Sequence, residues 1–288
     1  MININNINPE KPVLIVGPTA SGKTSLAIAI AQAQGRVVVN ADALQVYDGW
    51  RVLTARPTPE EEDAVPHHLY GHVPFTAHYD VGQWLQDLTP FLAQNPVIVG
   101  GTGLYFRALT QGLADIPAIP PDIRAEADAR SHTQRLADLH EGDPALVARI
   151  DCDNPMRVQR GWEVLRATGR PLSAWQDETP PPLLPLGNTT PLALMPDRDW
   201  LNARIAQRFD QMLNEGALDE ARANLPRWSS AGGAAKAIGA PELIAHLHGT
   251  LPLAAARDAA VTATRQYAKR QRSWQRSNTQ AWQSVPLP

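Results

Sequence analysis

Apolar and polar positions along the first hundred residues follow two rhythms. Val13-Leu14-Ile15-Val16, Val37-Val38-Val39 and Pro96-Val97-Ile98-Val99 are short runs without a polar break, the pattern of strands covered on both faces. His68–Val73 gives a fainter fourth. Between them, Thr24–Gln34 (Leu26, Ile28, Ile30) and Asp80–Leu92 (Val81, Trp84, Leu85, Leu88, Phe91, Leu92) repeat at helical spacing. This alternation predicts an α/β fold with a three-layer parallel sheet. After Asp115 the strand rhythm stops. Pro121 to Trp175 carries helical patterns only, clearest over Asp122–His140 and Asn154–Thr168, between proline-rich joints at Ile116–Pro121 and Thr179–Pro185. An all-helical insertion over 116–185 is therefore predicted, within a core built from 1–115 and 186–288. The core resumes with a strand at Pro191–Met195. A helix N-capped by Asp197 follows, with Leu201, Ile205, Phe209, Met212 and Leu213 on one face and Gly216 at its end. A last long helix runs from Leu253 to about Ser277.

Composition narrows the class. Hydrophobic residues make up 43% of 288, enough for a packed core, which excludes a disordered chain. No apolar run approaches the roughly 18–20 residues of a membrane span, so no membrane association is expected. The segment Met1-Ile2-Asn3-Ile4-Asn5-Asn6 lacks the basic and apolar regions of a secretory leader. Cys152 is the lone cysteine, which excludes an internal disulfide and a Cys-rich zinc site and fits a reducing cytoplasm.

Gly17-Pro18-Thr19-Ala20-Ser21-Gly22-Lys23-Thr24 matches G-x-x-x-x-G-K-[ST], with a strand before it and a helix after it. Glycines at those places let backbone N–H groups turn inward around phosphate oxygens, at the positive end of a helix. Lys23 adds a point charge, and the Thr24 hydroxyl suits Mg²⁺. The core is thus read as P-loop NTPase-like. The loop alone says phosphate and leaves the chemistry open between kinases, ATPases and other transferases. An ATPase usually shows an apolar strand ending in Asp. Here the third strand ends in Gly100-Gly101-Thr102-Gly103, where Thr102 offers a neutral hydrogen bond. The second strand does end in a carboxylate, in Asn40-Ala41-Asp42. Ligands of open α/β sheets bind outside the carboxyl ends of the strands, so Asp42 is expected to share a crevice with the phosphate loop. It is a helix cap, a metal-shell carboxylate or a general base.

Together these blocks resemble one family. Gly17–Thr24, Asp42-Ala43-Leu44-Gln45-Val46-Tyr47, Thr54-Ala55-Arg56-Pro57, Pro66-His67-His68-Leu69, Gly100–Tyr105, Asn154-Pro155-Met156-Arg157 with Arg160, and Thr264–Gln271 are similar, in order, to the tRNA dimethylallyltransferases. The resemblance covers about Val13 to Arg276. It implies transfer of a dimethylallyl group from its diphosphate to the exocyclic amine of the adenosine just 3′ of a tRNA anticodon, with release of pyrophosphate. By the same resemblance Asp42 is the general base, Lys23 and Thr102 serve the departing diphosphate, and Thr24 holds Mg²⁺. The family's arginine near the pyrophosphate aligns best with Arg222, in Leu218-Asp219-Glu220-Ala221-Arg222. Contact with the anticodon stem-loop is implied for Asp42, Ala43, Leu44, Gln45, Thr102, Arg124, Met156, Arg157, Val158, Gln159, Arg160, Lys236, Arg265, Lys269, Arg270, Arg272 and Arg276. The reading is of a cytoplasmic, monomeric enzyme.

The chain departs from the family pattern at several places. Ala43 replaces a serine, Leu53 a glycine, and Ala240-Pro241 a tyrosine and a cation; Asp153-Asn154 is reversed, and the insertion is short around His132–Gly142. None of these touches Lys23, Thr24, Asp42 or Thr102.

Charge sharpens the RNA reading. The formal net charge is −3, which as a sum argues against a nucleic-acid partner. Residues 257–276 hold six Lys/Arg and one Asp, a net of +5, while the rest holds 20 Lys/Arg and 28 Asp/Glu, a net of −8. Arg265, Lys269, Arg272 and Arg276 fall at i, i+4, i+7 and i+11, one basic stripe along a helix. Three alternatives stand beside the transferase: a P-loop kinase of a small metabolite, a dimethylallyltransferase acting on free AMP, and an RNA-binding module. The last leaves the phosphate loop and Asp42 unexplained.

Overall fold

The computed structural model describes residues 2–286. Its chain forms two compact units, Met1–Thr110 with Leu184–Pro288, and Gln111–Leu183.

The first unit opens with β1 (Val13–Val16), α1 (Lys23–Gln34), β2 (Val38–Asn40), α2 (Pro59–Ala64), β3 (His67–His68), α3 (Val81–Leu88), β4 (Val97–Gly100) and α4 (Gly103–Gln111). All residues of β1, β2 and β4 are buried, as unbroken apolar runs require. Strand residues alternate between two packed faces. Val13, Ile15, Val97 and Val99 meet Ala27, Ile30 and Ala31 of α1. Leu14, Val16, Val39 and Ile98 meet Trp84 and Leu88 of α3 and Phe106 and Leu109 of α4. Helices on both faces of a parallel sheet are the three-layer arrangement that the sequence predicts.

Two expectations here are corrected. The fourth strand is only two residues long, because Leu69 and Gly71 take positive φ (62° and 55°) and turn the chain out of the ladder. The helix expected over Asp80–Leu92 ends at Leu88, and a 3₁₀ turn over Thr89–Gln94 carries Pro90. Its start is fixed by a capping box between Asp80 and Gln83, worth about 1 kcal/mol.

The second unit has helices and no strand among its described residues: α5 (Pro121–Ala129), α6 (His132–Gly142), α7 (Pro144–Val147), α8 (Pro155–Thr168) and α9 (Leu172–Asp177). The pattern over Asp122–His140 is two helices, not one. The break lies at Arg130-Ser131, where Ser131 and Gln134 form a capping box that starts α6. Ala127, Leu139, Leu146, Val158, Trp162 and Val164 make this unit's own core.

The chain then returns as β5 (Thr190–Leu194), α10 (Arg198–Asn214), α11 (Ala217–Asn224), α12 (Ala240–Leu247), α13 (Leu253–Asn278) and β6 (Gln283–Val285). The sheet has six parallel strands in the order β3-β2-β4-β1-β5-β6. The edge strand β6 is short, and Gln283 and Ser284 are exposed, so its sequence carries no apolar run. A third core joins α10–α13 to the segment from Val46 to Phe75, around Trp50 and Phe209. That cluster builds one wall of the site. No described helix is long and apolar enough to cross a membrane.

Candidate active site

The phosphate loop joins β1 to α1. Gly22 caps α1 in the left-handed region (φ 86°), which glycine enters without cost. Ala20 also has positive φ (63°), a conformation that costs an L-residue about 1 kcal/mol or more. Two contacts from outside hold the loop there. The Thr19 N–H donates to Gln271 Oε1 of α13 at 2.9 Å, and the Ala20 carbonyl accepts from Arg204 Nε of α10 at 3.1 Å.

Lys23 lies at the start of α1 and is 9% exposed. Burial pushes its ammonium down from 10.5 to about 8; Asp42 opposes the shift and Arg208 adds to it. The stability consequence has a definite sign. Below pH 8 both folded and unfolded chains carry the proton, so the burial penalty is present in full. It fades as pH rises from 8 to 10.5. Replacing Lys23 with Met is therefore expected to raise the melting temperature at pH 7, by at most about 3 kcal/mol of stability, while removing diphosphate affinity. Thermal melts at pH 7 and pH 10 check this: the gain should shrink at pH 10, and a variant less stable than wild type at pH 7 contradicts it.

Asp42 stands just past β2 in a tight turn. Its N–H donates to Asn40 Oδ1 (2.8 Å), and its Oδ1 accepts from the Leu44 N–H (3.0 Å). Its Oδ2 faces the glycine turn, 3.3 Å from where a Cβ on Gly101 would stand. Thr102 locks the same turn from the other side. Its Oγ1 accepts from the Ala43 N–H (2.9 Å), and its N–H donates to the Ala41 carbonyl (3.2 Å). The bareness of Gly100-Gly101-Thr102-Gly103 now has a cause: a Cβ on Gly100 would enter the Ala41 backbone, one on Gly101 the Gln271 amide, and one on Gly103 the Trp274 ring.

A cleft open to solvent begins at Thr19 and Ala20 and is lined by Asp42, Arg208 and Tyr267. Its remaining walls are largely apolar, with Leu44, Leu53, Ile205, Phe209, Met212 and Ile238. Arg208 lies at i+3 from Ile205 on the same helix face, and burial and Arg204 pull its guanidinium below its ordinary value. Burial first, then Asp42, drives the Tyr267 phenol well above its usual range.

A family model described as IPP transferase matches residues 45–278, and one described as isopentenyl transferase matches residues 11–67. The chain belongs to the IPP transferase family. Among its relatives, the tRNA dimethylallyltransferase of Dinoroseobacter shibae is 57% identical over 288 residues, covering 99% of this chain and 97% of the relative. That of Ruegeria sp. (strain TM1040) is 56% identical, covering 99% of each. Among solved structures, the tRNA isopentenylpyrophosphate transferase of Bacillus halodurans superposes with a TM-score of 0.68 at 33% identity, over 96% of this chain and 89% of that one. A eukaryotic dimethylallyltransferase acting on tRNA gives 0.78 at 26% identity, over 92% and 70%.

Other residues singled out in the sequence fall in varied places. Arg222 is not brought to the cleft: it is exposed on α11 and pairs with Asp219. Its neighbour Glu220 does shape the site, accepting the backbone N–H groups of Arg51, Val52 and Leu53, the last a cleft residue. Arg208 is the cleft arginine. It escapes a motif search because it interrupts an apolar helix face without a local signature. The Gln45 side-chain amide holds the Thr54 and Ala55 carbonyls (2.9 Å each), fixing another part of the wall. Val158 is core, not surface. Gln159 spends its side-chain amide on Asp128 and Glu163, and Arg124 pairs with Glu163 at 3.8 Å. Met156 is 72% exposed, and Arg157, Arg160 and Lys236 are exposed as well. On α13, Arg265, Lys269 and Arg276 are exposed, Arg272 is half-buried, and Arg270 lies over the Tyr267 ring.

Proposed function

We propose that this chain transfers a dimethylallyl group from dimethylallyl diphosphate to the exocyclic amine of the adenosine 3′-adjacent to a tRNA anticodon, releasing pyrophosphate. One observation carries the reading: a buried carboxylate, Asp42, shares one cleft with residues of a phosphate loop and a largely apolar wall. A kinase has no use for that wall beside its transferred phosphate, whereas an allylic diphosphate has one end for each. Family membership and the names of the relatives support the same assignment.

The chemistry follows from the residues. The phosphate loop, Lys23 and Arg208 hold the diphosphate and neutralise the charge that grows on its leaving oxygen. Leu53, Ile205, Phe209 and Met212 take the five-carbon tail out of water. The acceptor amine is a weak base. Its nitrogen forms the new C–N bond at the carbon that bears the diphosphate, the C–O bond breaks, and its electron pair leaves with pyrophosphate. The amine proton becomes acidic as the bond forms, and Asp42 takes it. The turn locked by Asn40, Thr102 and Leu44 holds that carboxylate in place.

A divalent cation fits the loop. Ser21 Oγ is buried there with no hydrogen-bond partner, and Thr24 is half-buried at the start of α1. Among the described residues no cluster of three His, Cys, Asp or Glu offers a cage of its own. That donor set suits Mg²⁺, which keeps its waters and binds mainly through phosphate oxygens, with Thr24 as its protein ligand. When bound, it lowers the charge on the departing pyrophosphate.

Exposed cations on α13 supply the tRNA contact in this reading, with Arg157 and Arg160 as a second set. Lys269→Ala with Arg276→Ala is expected to weaken tRNA binding and to reduce the slope of log K against log salt by roughly two. An unchanged slope returns these residues to a solvated face. The lone Cys152 supports a cytoplasmic setting.

The function is tested by offering labelled dimethylallyl diphosphate with unmodified tRNA or with AMP. Label in tRNA alone is expected. Label on AMP alone favours the free-nucleotide enzyme, and acceptor-dependent ATP hydrolysis without prenyl transfer favours the kinase.

A further inference from the structure

Helix α13 buries two glutamines one turn apart, Gln271 (7% exposed) and Gln275 (1% exposed). They differ in what they hold. Gln275 reaches only the Leu194 carbonyl, at 3.4 Å, and its Oε1 has no partner. Gln271 uses both ends of its amide: Oε1 accepts the Thr19 N–H at 2.9 Å, and Nε2 donates to the Gly101 carbonyl at 3.0 Å. One side chain thus ties the phosphate loop to the glycine turn against which Asp42 rests. Gly101 accommodates it, since any Cβ there would collide with the Gln271 amide.

The loop needs such a tie. Thr19 precedes an alanine held at φ 63°, a conformation with no intrinsic preference, and the next left-handed residue is Gly22. A loop of this kind keeps its shape only if its surroundings over-determine it. Gln271 is also flanked on α13 by Lys269 and Arg272, two cations of the basic stripe.

We propose that Gln271 is a positioning residue for diphosphate: it fixes the Thr19 peptide and so sets the shape of the phosphate loop. It acts through Thr19 and Gly101 and does not touch the reacting atoms. The inference rests on the functional reading above only in taking diphosphate as the loop's ligand.

Inorganic pyrophosphate with Mg²⁺ is the probe, titrated calorimetrically into wild type, Gln271→Met and Gln275→Met of the full chain. Gln271→Met keeps the volume and removes both bonds. It is expected to weaken pyrophosphate about tenfold and to raise the KM for dimethylallyl diphosphate in step, with the KM for tRNA changed less than about twofold. Gln275→Met, from the same buried face, is expected to leave pyrophosphate affinity as it is. Gln271→Glu supplies a second signature. Its carboxylate repels the Gly101 carbonyl, whereas its protonated form reproduces both hydrogen bonds, so pyrophosphate affinity relative to wild type should recover as pH falls. That variant also decides the matter if Gln271→Met does not fold. Equal pyrophosphate affinity in wild type and the Gln271 variants overturns the proposal, as does equal weakening by Gln271→Met and Gln275→Met. A wild-type protein that binds pyrophosphate but transfers no label to tRNA overturns the functional reading alone.

Discussion

Replacing Asp42 with Ala is expected to lower kcat for prenyl transfer by about 10²–10⁴-fold, with pyrophosphate affinity changed less than about threefold. The expected size follows from the proposed division of labour. Asp42 is buried beside the phosphate loop, yet Lys23 and the loop amides carry the diphosphate. Removing the carboxylate also removes the acceptor for the Leu44 N–H, so Asp42→Asn is the cleaner variant: it keeps an oxygen for that bond and cannot take a proton at neutral pH. Single-turnover rates with saturating tRNA read the effect directly. A near wild-type rate in Asp42→Asn removes the general-base role.

The second large effect separates two arginines. Arg208→Ala is expected to reduce kcat/KM for dimethylallyl diphosphate by about 10²–10³-fold, as the loss of a half-buried cleft charge that stabilises a leaving group does. Arg222→Ala is expected to stay within about twofold, since an exposed i,i+3 pair with Asp219 contributes little. Steady-state kinetics on both variants settle which arginine serves the pyrophosphate. The reverse order of effects contradicts the cleft as described.

The contrast between those arginines shows what a sequence exposes and what it hides. The phosphate loop, the strands on either side of it and the carboxylate after β2 are legible because each is local: a glycine spacing, an unbroken apolar run, a charge at the strand's end. Arg222 is singled out only by its alignment with the family's arginine, and in the fold its block serves to hold the Arg51–Leu53 backbone through Glu220. Arg208 is hidden because its meaning depends on what α10 packs against. The visible signal is a cation at i+3 from Ile205 and i+4 before Met212, on the face otherwise reserved for the core. Gln271 closes a family-like block, but its role is hidden for the same reason: it is a polar residue three places after buried Ala268. The glycine turn is hidden in a different way. Its bareness has no local cause in the sequence, because the space is filled by Gln271 and Trp274 of a helix about 170 residues later in the chain. Local breaks are missed where backbone chemistry outweighs periodicity, at Leu69 and Gly71 after β3 and at Ser131 between α5 and α6. The acidic overall charge concealed a helix with cations on its exposed face.

The position of the label in tRNA tests the proposed transfer most directly. Unmodified tRNA carrying an adenosine just 3′ of the anticodon is incubated with labelled dimethylallyl diphosphate and Mg²⁺, digested to nucleosides and mapped. A matched tRNA carries guanosine at that place. Label is expected on that single adenosine's exocyclic amine, with one pyrophosphate released per label and no label in the guanosine tRNA. Equal labelling of both tRNAs, or pyrophosphate released without label in either, contradicts the proposed transfer.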